Sequence, residues 1–204
     1  TTATQNVVIG KDAMGAVPSG QDVRQIVAIG LNAIYGSAST NTGIDGTVAI
    51  GYEAGKSLTT GSANVAIGKQ AGKELTTGDT NTFVGNQCGY TVTTGNNNTV
   101  VGRYNFGSSH IDVGANVITG DDNVVMGVEA GSDMKGAAAS NTLIGPAAGI
   151  AISTGGENLC LGHDAGRSGS PGGEVSTTNR KIFLGDENIT NFHCQVVLSA
   201  ASDK

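Results

Sequence analysis

One short phrase recurs about ten times along the chain: a small apolar run that ends in glycine and usually follows asparagine or threonine. Six copies run from Asn to Gly, namely Asn64–Gly68, Asn81–Gly85, Asn98–Gly102, Asn123–Gly127, Asn141–Gly145 and Asn158–Gly162. Looser copies end at Gly10, Gly30, Gly51 and Gly185. Such self-similarity is typical of a stacked repeat architecture.

The spacing between the repeat glycines indicates which architecture this is. The step is 17 in sequence number at each stage from Gly51 through Gly68 and Gly85 to Gly102, and the other steps are equal to this or longer. Helical repeats need about 33 residues or more, and the leucine pattern of leucine-rich repeats is missing. This short period therefore predicts an all-β fold, a β-solenoid of about ten coils. Each coil should hold a strand, a glycine corner with positive φ, a second strand-like stretch and a polar turn such as Thr76-Thr77-Gly78.

The repeat asparagine and the strand residues predict how the coils are held together. Equivalent residues of stacked coils lie about 4.8 Å apart, so the asparagine side chains should form a ladder of hydrogen bonds. In a strand such as Val65–Ile67, the first and third residues share one face and the second faces the other way. Many triplets are apolar on both faces, although a thin solenoid has only one interior. We therefore expect self-association to cover the outer face, in a homotrimer.

The composition argues against several other classes of protein. The 204 residues include 33 Gly but only 3 Pro, and 38% are hydrophobic, which argues against disorder. The net charge of −6, with 11 Lys and Arg scattered singly, argues against nucleic acid or an anionic membrane as partner. No apolar run approaches the length of a membrane span and no signal peptide is recognisable, although the missing initial Met predicts a fragment. The three cysteines lack the spacing of a metal site or of a disulfide framework. Cys88 and Cys160 are predicted to be buried, and Cys194 is the third.

Few side chains are placed to support catalysis or to bind a metal. Four acids share one repeat position with Gln and Asn of other coils: Asp12, Glu53, Glu129 and Asp164. A position taken by both acids and amides predicts a solvated ridge, and Glu53 and Glu129 lie several coils apart, too far for the paired carboxylates of a glycosidase. The three histidines, His110, His163 and His193, are isolated in sequence. The sequence thus predicts no catalytic residue, no metal site and no cofactor.

One repeat departs from the pattern directly after Gly102. Asn105 and Phe106 replace the usual Ala and Gly, and the next repeat glycine, Gly127, comes later than the usual period would place it. Exposed aromatic side chains flanked by amide and charged groups are typical of sugar and protein recognition. Tyr104, Asn105, Phe106 and His110 are therefore candidate receptor-binding residues. The alternative is that this segment fills space where neighbouring subunits meet.

The repeat phrase and its Thr-Thr-Gly spacers carry a resemblance to a known family. They resemble the repeats of phage tail fibres and are similar to the left-handed β-roll of trimeric autotransporter adhesin heads. The segment from Lys181 to Leu198, followed by Ser202, Asp203 and Lys204, resembles the junction at which tail fibres and tailspikes enter a C-terminal intramolecular chaperone. That domain assembles the trimer and then cuts itself off, and the resemblance implies Ser202 and Asp203 as the self-cleavage candidates.

Repeats and resemblance together predict the organisation of the chain. We expect a β-solenoid domain over residues 1–185, with excursions near 16–26, 36–46, 103–122 and 166–180. Residues 186–204 should form a C-terminal segment that leads into a chaperone domain beyond the chain.

The function that these features favour is structural and adhesive, without catalytic activity. We expect the receptor-binding or shaft part of a viral tail fibre, located in the virion, assembled in the host cytoplasm and used for multivalent attachment to the host. Its partners would be copies of itself, other tail proteins, and a host-surface glycan or outer-surface protein. The alternatives are a trimeric bacterial surface adhesin, a polysaccharide-cleaving tailspike with carboxylates contributed across subunits, and an ice-binding solenoid. Ice binding would require flat Thr-x-Thr arrays, whereas the threonines here are adjacent.

Overall fold

A computed structural model of the chain describes residues 5–15, 22–36, 42–107, 117–167, 169, 173, 175–191 and 193. Within these ranges the chain is all-β, without helix, and its strands form one parallel sheet of ten strands in chain order. The strands are β1 Val7–Ile9, β2 Val27–Ile29, β3 Val48–Ile50, β4 Val65–Ile67, β5 Thr82–Val84, β6 Thr99–Val101, β7 Val124–Met126, β8 Thr142–Ile144, β9 Leu159–Leu161 and β10 Ile182–Leu184. The predicted fold class, a β-solenoid, is confirmed.

Each coil contributes one strand, and neighbouring strands pair without any offset. Val65 of β4 pairs with Thr82 of β5, and Ile67 pairs with Val84. The remaining strand pairs keep the same register, even across the longest coil, which separates β6 from β7. Because every repeat glycine directly follows its strand, in-register pairing places equivalent residues of all ten coils in columns.

The interior of the solenoid is built from three such columns. The middle residue of each strand from β2 onward points inward, and Ala66, Phe83 and Val100 are at most 2% exposed. A second column is formed by the small residue after the glycine corner, such as Ala71 or Cys88. A third column holds the apolar residue that precedes the polar turn, which is Thr-Thr-Gly or a related sequence: Leu58, Leu75, Val92, Ile118, Ile152 and Val175. These buried side chains together fill the narrow interior.

The second strand-like stretch expected in each coil is not a strand, so that detail of the prediction is wrong. Outside β1–β10, the described residues form turns, bends and irregular backbone, with isolated bridges only from Val92 to Ile118 and from Ile118 to Gly136. Gln70 and Gly72 adopt φ of 58° and 55°, which interrupts the extended backbone that a ladder requires. Backbone hydrogen bonds still join the coils there, because equivalent residues remain stacked.

The glycine corner has the predicted positive φ, and stacking gives a second reason for glycine. Gly68 and Gly85 have φ of 133° and 137°, a region that side chains other than glycine rarely adopt. A Cβ at Gly85 would overlap the carbonyl oxygen of Gly102 in the next coil. Each corner therefore excludes side chains both by its own backbone and by its neighbour.

The predicted asparagine ladder is confirmed and lies inside the protein. Asn98 is fully buried, and its backbone N–H and side-chain amide both donate to Oδ1 of Asn81, at 3.0 Å each. The same pattern links the buried repeat asparagines at 64, 81, 98, 123, 141 and 158. Each side chain also donates to a turn carbonyl, as Asn64 does to Gly78 at 2.8 Å. The ladder thereby satisfies polar groups that would otherwise be buried without partners.

The predicted excursions coincide with the places where the described ranges are interrupted. Residues 16–21, 37–41, 108–116 and parts of 168–174 lie outside the described residues. So do Ser202 and Asp203, the self-cleavage candidates, together with His110 and Cys194.

Candidate functional site

Phe106 of the broken repeat after Gly102 lies inside the solenoid, which overturns the expectation that its ring is exposed. Phe106 and Asn105 are both fully buried, and only Tyr104 is partly exposed. Phe106 adopts φ of 52°, close to the glycines at the same position of other coils, while its side chain fills the interior. Asn105 and Phe106 are therefore not available to a receptor in this chain, because they pack inside its own coil.

Asn105 is held inside the solenoid by backbone groups. Its side-chain amide donates to the carbonyl oxygen of Val101 at 2.9 Å and to that of Gly127 at 3.0 Å. Its Oδ1 is buried without a hydrogen-bond partner. The surface that remains for recognition consists of Tyr104 and Arg103, whose guanidinium carbon lies 4.7 Å from the Tyr104 ring centroid.

Glu53 is 6% exposed, so the prediction of a solvated ridge is wrong at this position. Its Oε1 accepts a hydrogen bond from Lys56 Nζ at 2.7 Å, and its Oε2 accepts one from Gln70 Nε2 at 2.9 Å. Lys73 Nζ lies 3.4 Å from the same Oε2. Burial alone would raise the pKa of Glu53, but these donors and charges outweigh it and lower the pKa to about 2. A carboxyl that is fully ionised at neutral pH is a poor general acid.

Hydrogen bonds connect the side chains around Glu53 with those of neighbouring coils. Gln87 Nε2 donates to Gln70 Oε1 at 2.7 Å, so acid and amides of three stacked coils form one row. Lys73 Nζ donates to the Tyr90 hydroxyl at 2.9 Å and lies 5.1 Å from the Tyr90 ring centroid. Burial would lower the pKa of Lys73, but Tyr90 and Glu53 outweigh it and raise the pKa. Asp12 and Glu129, at the same repeat position, are exposed as expected.

His163 is isolated in sequence but not in the structure. Its Nδ1 lies 3.6 Å from Asp164 Oδ2 and 3.7 Å from Asp186 Oδ2. His163 and Asp186 each follow a repeat glycine, so pairing of β9 with β10 aligns them although a whole coil separates them in sequence. This is the one group of three or more potential metal ligands found within the described ranges. Comparing residues at equivalent repeat positions, rather than by local spacing, would have found it.

The Thr-Thr-Gly turns use their first hydroxyl to join coils. Thr59 Oγ1 donates to the carbonyl oxygen of Thr76 at 2.9 Å, and Thr76 Oγ1 donates to that of Thr93 at 3.0 Å. Because these hydroxyls serve the next coil, they do not form a free array for an ice surface.

Cys88 and Cys160 are buried free thiols, as predicted. Burial raises the pKa of the Cys88 thiol to about 12 and that of Cys160 to about 11. Both therefore stay protonated and act as small apolar side chains.

Comparison with protein-family models, with curated proteins and with solved structures found no significant match to this chain. Among the described residues, no helix is long and apolar enough to cross a membrane.

Proposed function

We propose that this chain is the shaft or distal domain of a homotrimeric viral tail fibre that attaches the virion to its host cell. The observation that carries the proposal is the outward face of the ten-stranded sheet. The resemblance of the repeats to those of phage tail fibres supports the viral assignment.

The outward face is the strip formed by the first and third residues of every strand. Not one of its twenty positions carries a charge, and the only polar residues are Thr82, Thr99 and Thr142. Seven of its apolar side chains are at least 36% exposed: Val7, Ile9, Ile67, Met126, Ile144, Ile182 and Leu184. The rest of this strip is half-buried, except Thr99, which is exposed. The strip carries no charge although the protein has a net charge of −6. A long uncharged apolar surface of this kind is suited to contact with a partner.

The dimensions of the strip favour a second copy of the chain as that partner. Nine spacings of about 4.8 Å give a length of about 43 Å, and a triplet is about 10 Å wide. The resulting area of about 400 Å², which treats the strip as flat, is comparable to the largest apolar patch of a typical monomeric protein, and such patches are often functional. A copy in parallel orientation has the same axial spacing, so its rows of side chains can interdigitate along the entire strip. A globular partner would match the spacing at only a few points.

A trimer of such rods explains attachment through weak individual contacts. Three equivalent sites on one rigid body act at high effective concentration, so the virion is held even if each site binds weakly. A glycan or an outer-surface protein of the host is the proposed ligand. The buried free thiols Cys88 and Cys160 are compatible with assembly in the reducing host cytoplasm.

Light scattering of the purified chain tests the oligomeric part of the proposal. We expect a mass of about three times the 20.3 kDa of one chain. A folded monomer at micromolar concentration would contradict it.

Attachment and localisation are tested separately from the oligomeric state. The purified protein should bind host cells and block infection in competition, and antibodies against it should label virion tails in electron micrographs. Labelling of a bacterial surface instead would favour the trimeric adhesin, which would use the same outward face.

A further inference from the structure

We propose that His163, Asp164 and Asp186 form a binding site for a divalent transition-metal ion, such as zinc, that joins the coils of β9 and β10. The proposal does not depend on the function proposed above.

Nδ1 of His163 lies at the distance from each carboxylate that two ligands of one ion require. Nδ1 of His163 lies 3.6 and 3.7 Å from Oδ2 of Asp164 and Oδ2 of Asp186, longer than a hydrogen bond. Metal–ligand bonds of about 2.1 Å at tetrahedral angles place two donors about 3.4 Å apart. One ligand atom from each residue lies within 4.8 Å of those of the other two. Small side-chain rotations would bring all three onto one ion, with room for water in a fourth position.

The chemistry of the donors favours a transition metal over calcium or magnesium. One imidazole nitrogen and two carboxylate oxygens suit zinc, manganese, cobalt or nickel, whereas calcium and magnesium prefer oxygen alone. His163 has its side chain 66% exposed, so an ion can reach the site from solvent.

Neighbouring side chains orient the two carboxylates. The backbone N–H of Asn188 donates to Asp186 Oδ1 at 2.9 Å, and the Asn188 side-chain amide donates to Oδ2 at 3.1 Å. Arg167 Nη1 donates to Asp164 Oδ2 at 3.1 Å. Asn188 thus acts as outer-shell support for a ligand. Arg167 instead competes with the ion for the same oxygen of Asp164, and its side chain is exposed enough to turn away.

No other pair of stacked coils has this combination at its repeat corners. The residues that follow the repeat glycines are Lys11, Leu31, Tyr52, Lys69, Asn86, Arg103, Val128, Pro146, His163 and Asp186. Only the last two are both strong metal ligands, and Asp164 adds a third. The site therefore arises once among these corners, between β9 and the edge strand β10. An ion there would tie the last described strand to the rest of the sheet.

Titration of zinc chloride into the metal-free protein, followed by calorimetry and by thermal unfolding, tests the site. We expect one ion per chain and a higher melting temperature that a chelator reverses. His163→Gln and Asp186→Asn should each weaken zinc binding at least tenfold. His193→Gln, which changes another exposed histidine, should bind like the wild type.

Arg167→Ala separates a metal site from a simple ion-pair cluster. If Arg167 competes with the ion, this variant should bind zinc more tightly than the wild type. Absence of zinc binding up to millimolar concentration would overturn the proposal, as would equal affinity of the wild type and the His163→Gln and Asp186→Asn variants. Circular dichroism spectra confirm that each variant is folded before its affinity is compared.

Discussion

Oδ1 of Asn64 accepts two hydrogen bonds from Asn81, one from the backbone N–H at 2.8 Å and one from the side-chain amide at 3.1 Å. Asn98 donates to Oδ1 of Asn81 in the same way, and the side-chain amide of Asn81 also donates to the carbonyl oxygen of Gly95 at 2.8 Å. One side chain thus serves its own coil and both neighbouring coils. A hydroxyl fills this role only in part: Thr47, at the equivalent position one coil before Asn64, accepts from the Asn64 backbone N–H at 3.4 Å but lacks the two donors of a side-chain amide.

Asn81→Ala should destabilise the protein by about 2 to 4 kcal/mol, since it leaves the backbone N–H of Asn98 and the carbonyl of Gly95 buried without partners. Urea denaturation measures the change. Asn86→Ala is the matched control, because Asn86 lies outside the ladder at a position that Lys, Tyr and Leu fill in other coils. Equal losses in the two variants would show that the ladder is not what stabilises the coils.

Gly85→Ala and Gly169→Ala separate backbone strain from steric conflict between coils. Both glycines have positive φ, 137° and 104°, so both variants carry backbone strain of about 1 to 2 kcal/mol. At Gly85 the added Cβ would also overlap the Gly102 carbonyl, whereas at Gly169 its nearest neighbour is the Glu187 carboxylate at 3.5 Å. We expect a markedly lower melting temperature for Gly85→Ala. Similar melting temperatures would contradict the close approach of stacked corners.

The sequence predicts much of this fold because the repeat places every coil in the same local conformation. The strand triplet, the glycine corner and the asparagine ladder each follow from a residue type that recurs at one position. The burial of Phe106 could not be predicted in this way. The positive φ of 52° strains the backbone of Phe106, whereas burial of its ring is favourable. The sequence does not show which of these two energies is larger.

The surroundings of Glu53 were also beyond prediction from sequence, whereas those of His163 required a comparison of equivalent repeat positions. Glu53 shares its repeat position with the exposed acids Asp12 and Glu129, and its contacts with Lys56, Lys73 and Gln70 distinguish it from them. His163 and Asp186 are neighbours because each follows a repeat glycine and because the coil between Gly162 and Gly185, although longer than the usual period, returns in register.

The corrected placement of Phe106 changes what its substitution should do. Phe106→Ala should cost about 3 to 5 kcal/mol of stability, because it leaves a cavity in the interior. Tyr104→Ala should cost far less, and we expect it to weaken host-cell attachment while the trimer stays intact. Thermal unfolding and a cell-binding assay measure the two effects. Unchanged attachment of Tyr104→Ala would place the receptor site elsewhere.

Acid should weaken the protein through Glu53. Its pKa falls from the ordinary 4.5 to about 2 on folding, so the ionised form favours the folded state. The contribution, on the order of 3 kcal/mol, is complete above pH 4.5 and is lost as the pH falls towards 2. Glu53→Gln should therefore be less stable than the wild type at pH 7 and should converge with it near pH 2. Glu129→Gln, which changes an exposed acid at the equivalent position, should follow the wild-type curve.

A charge placed on the outward face of the sheet should prevent self-association. Ile144 is 40% exposed in the single chain and lies on β8 within the uncharged strip, so Ile144→Glu would bury a carboxylate without a partner in a trimer. The side chain is outside the solenoid interior, so the coil itself should stay folded. Light scattering should then give a mass near 20.3 kDa in place of three times that value, with an unchanged circular dichroism spectrum. Thr154→Glu adds the same charge at an exposed turn away from the sheet, and this control should remain trimeric. A trimer that survives Ile144→Glu would show that the copies associate through another surface.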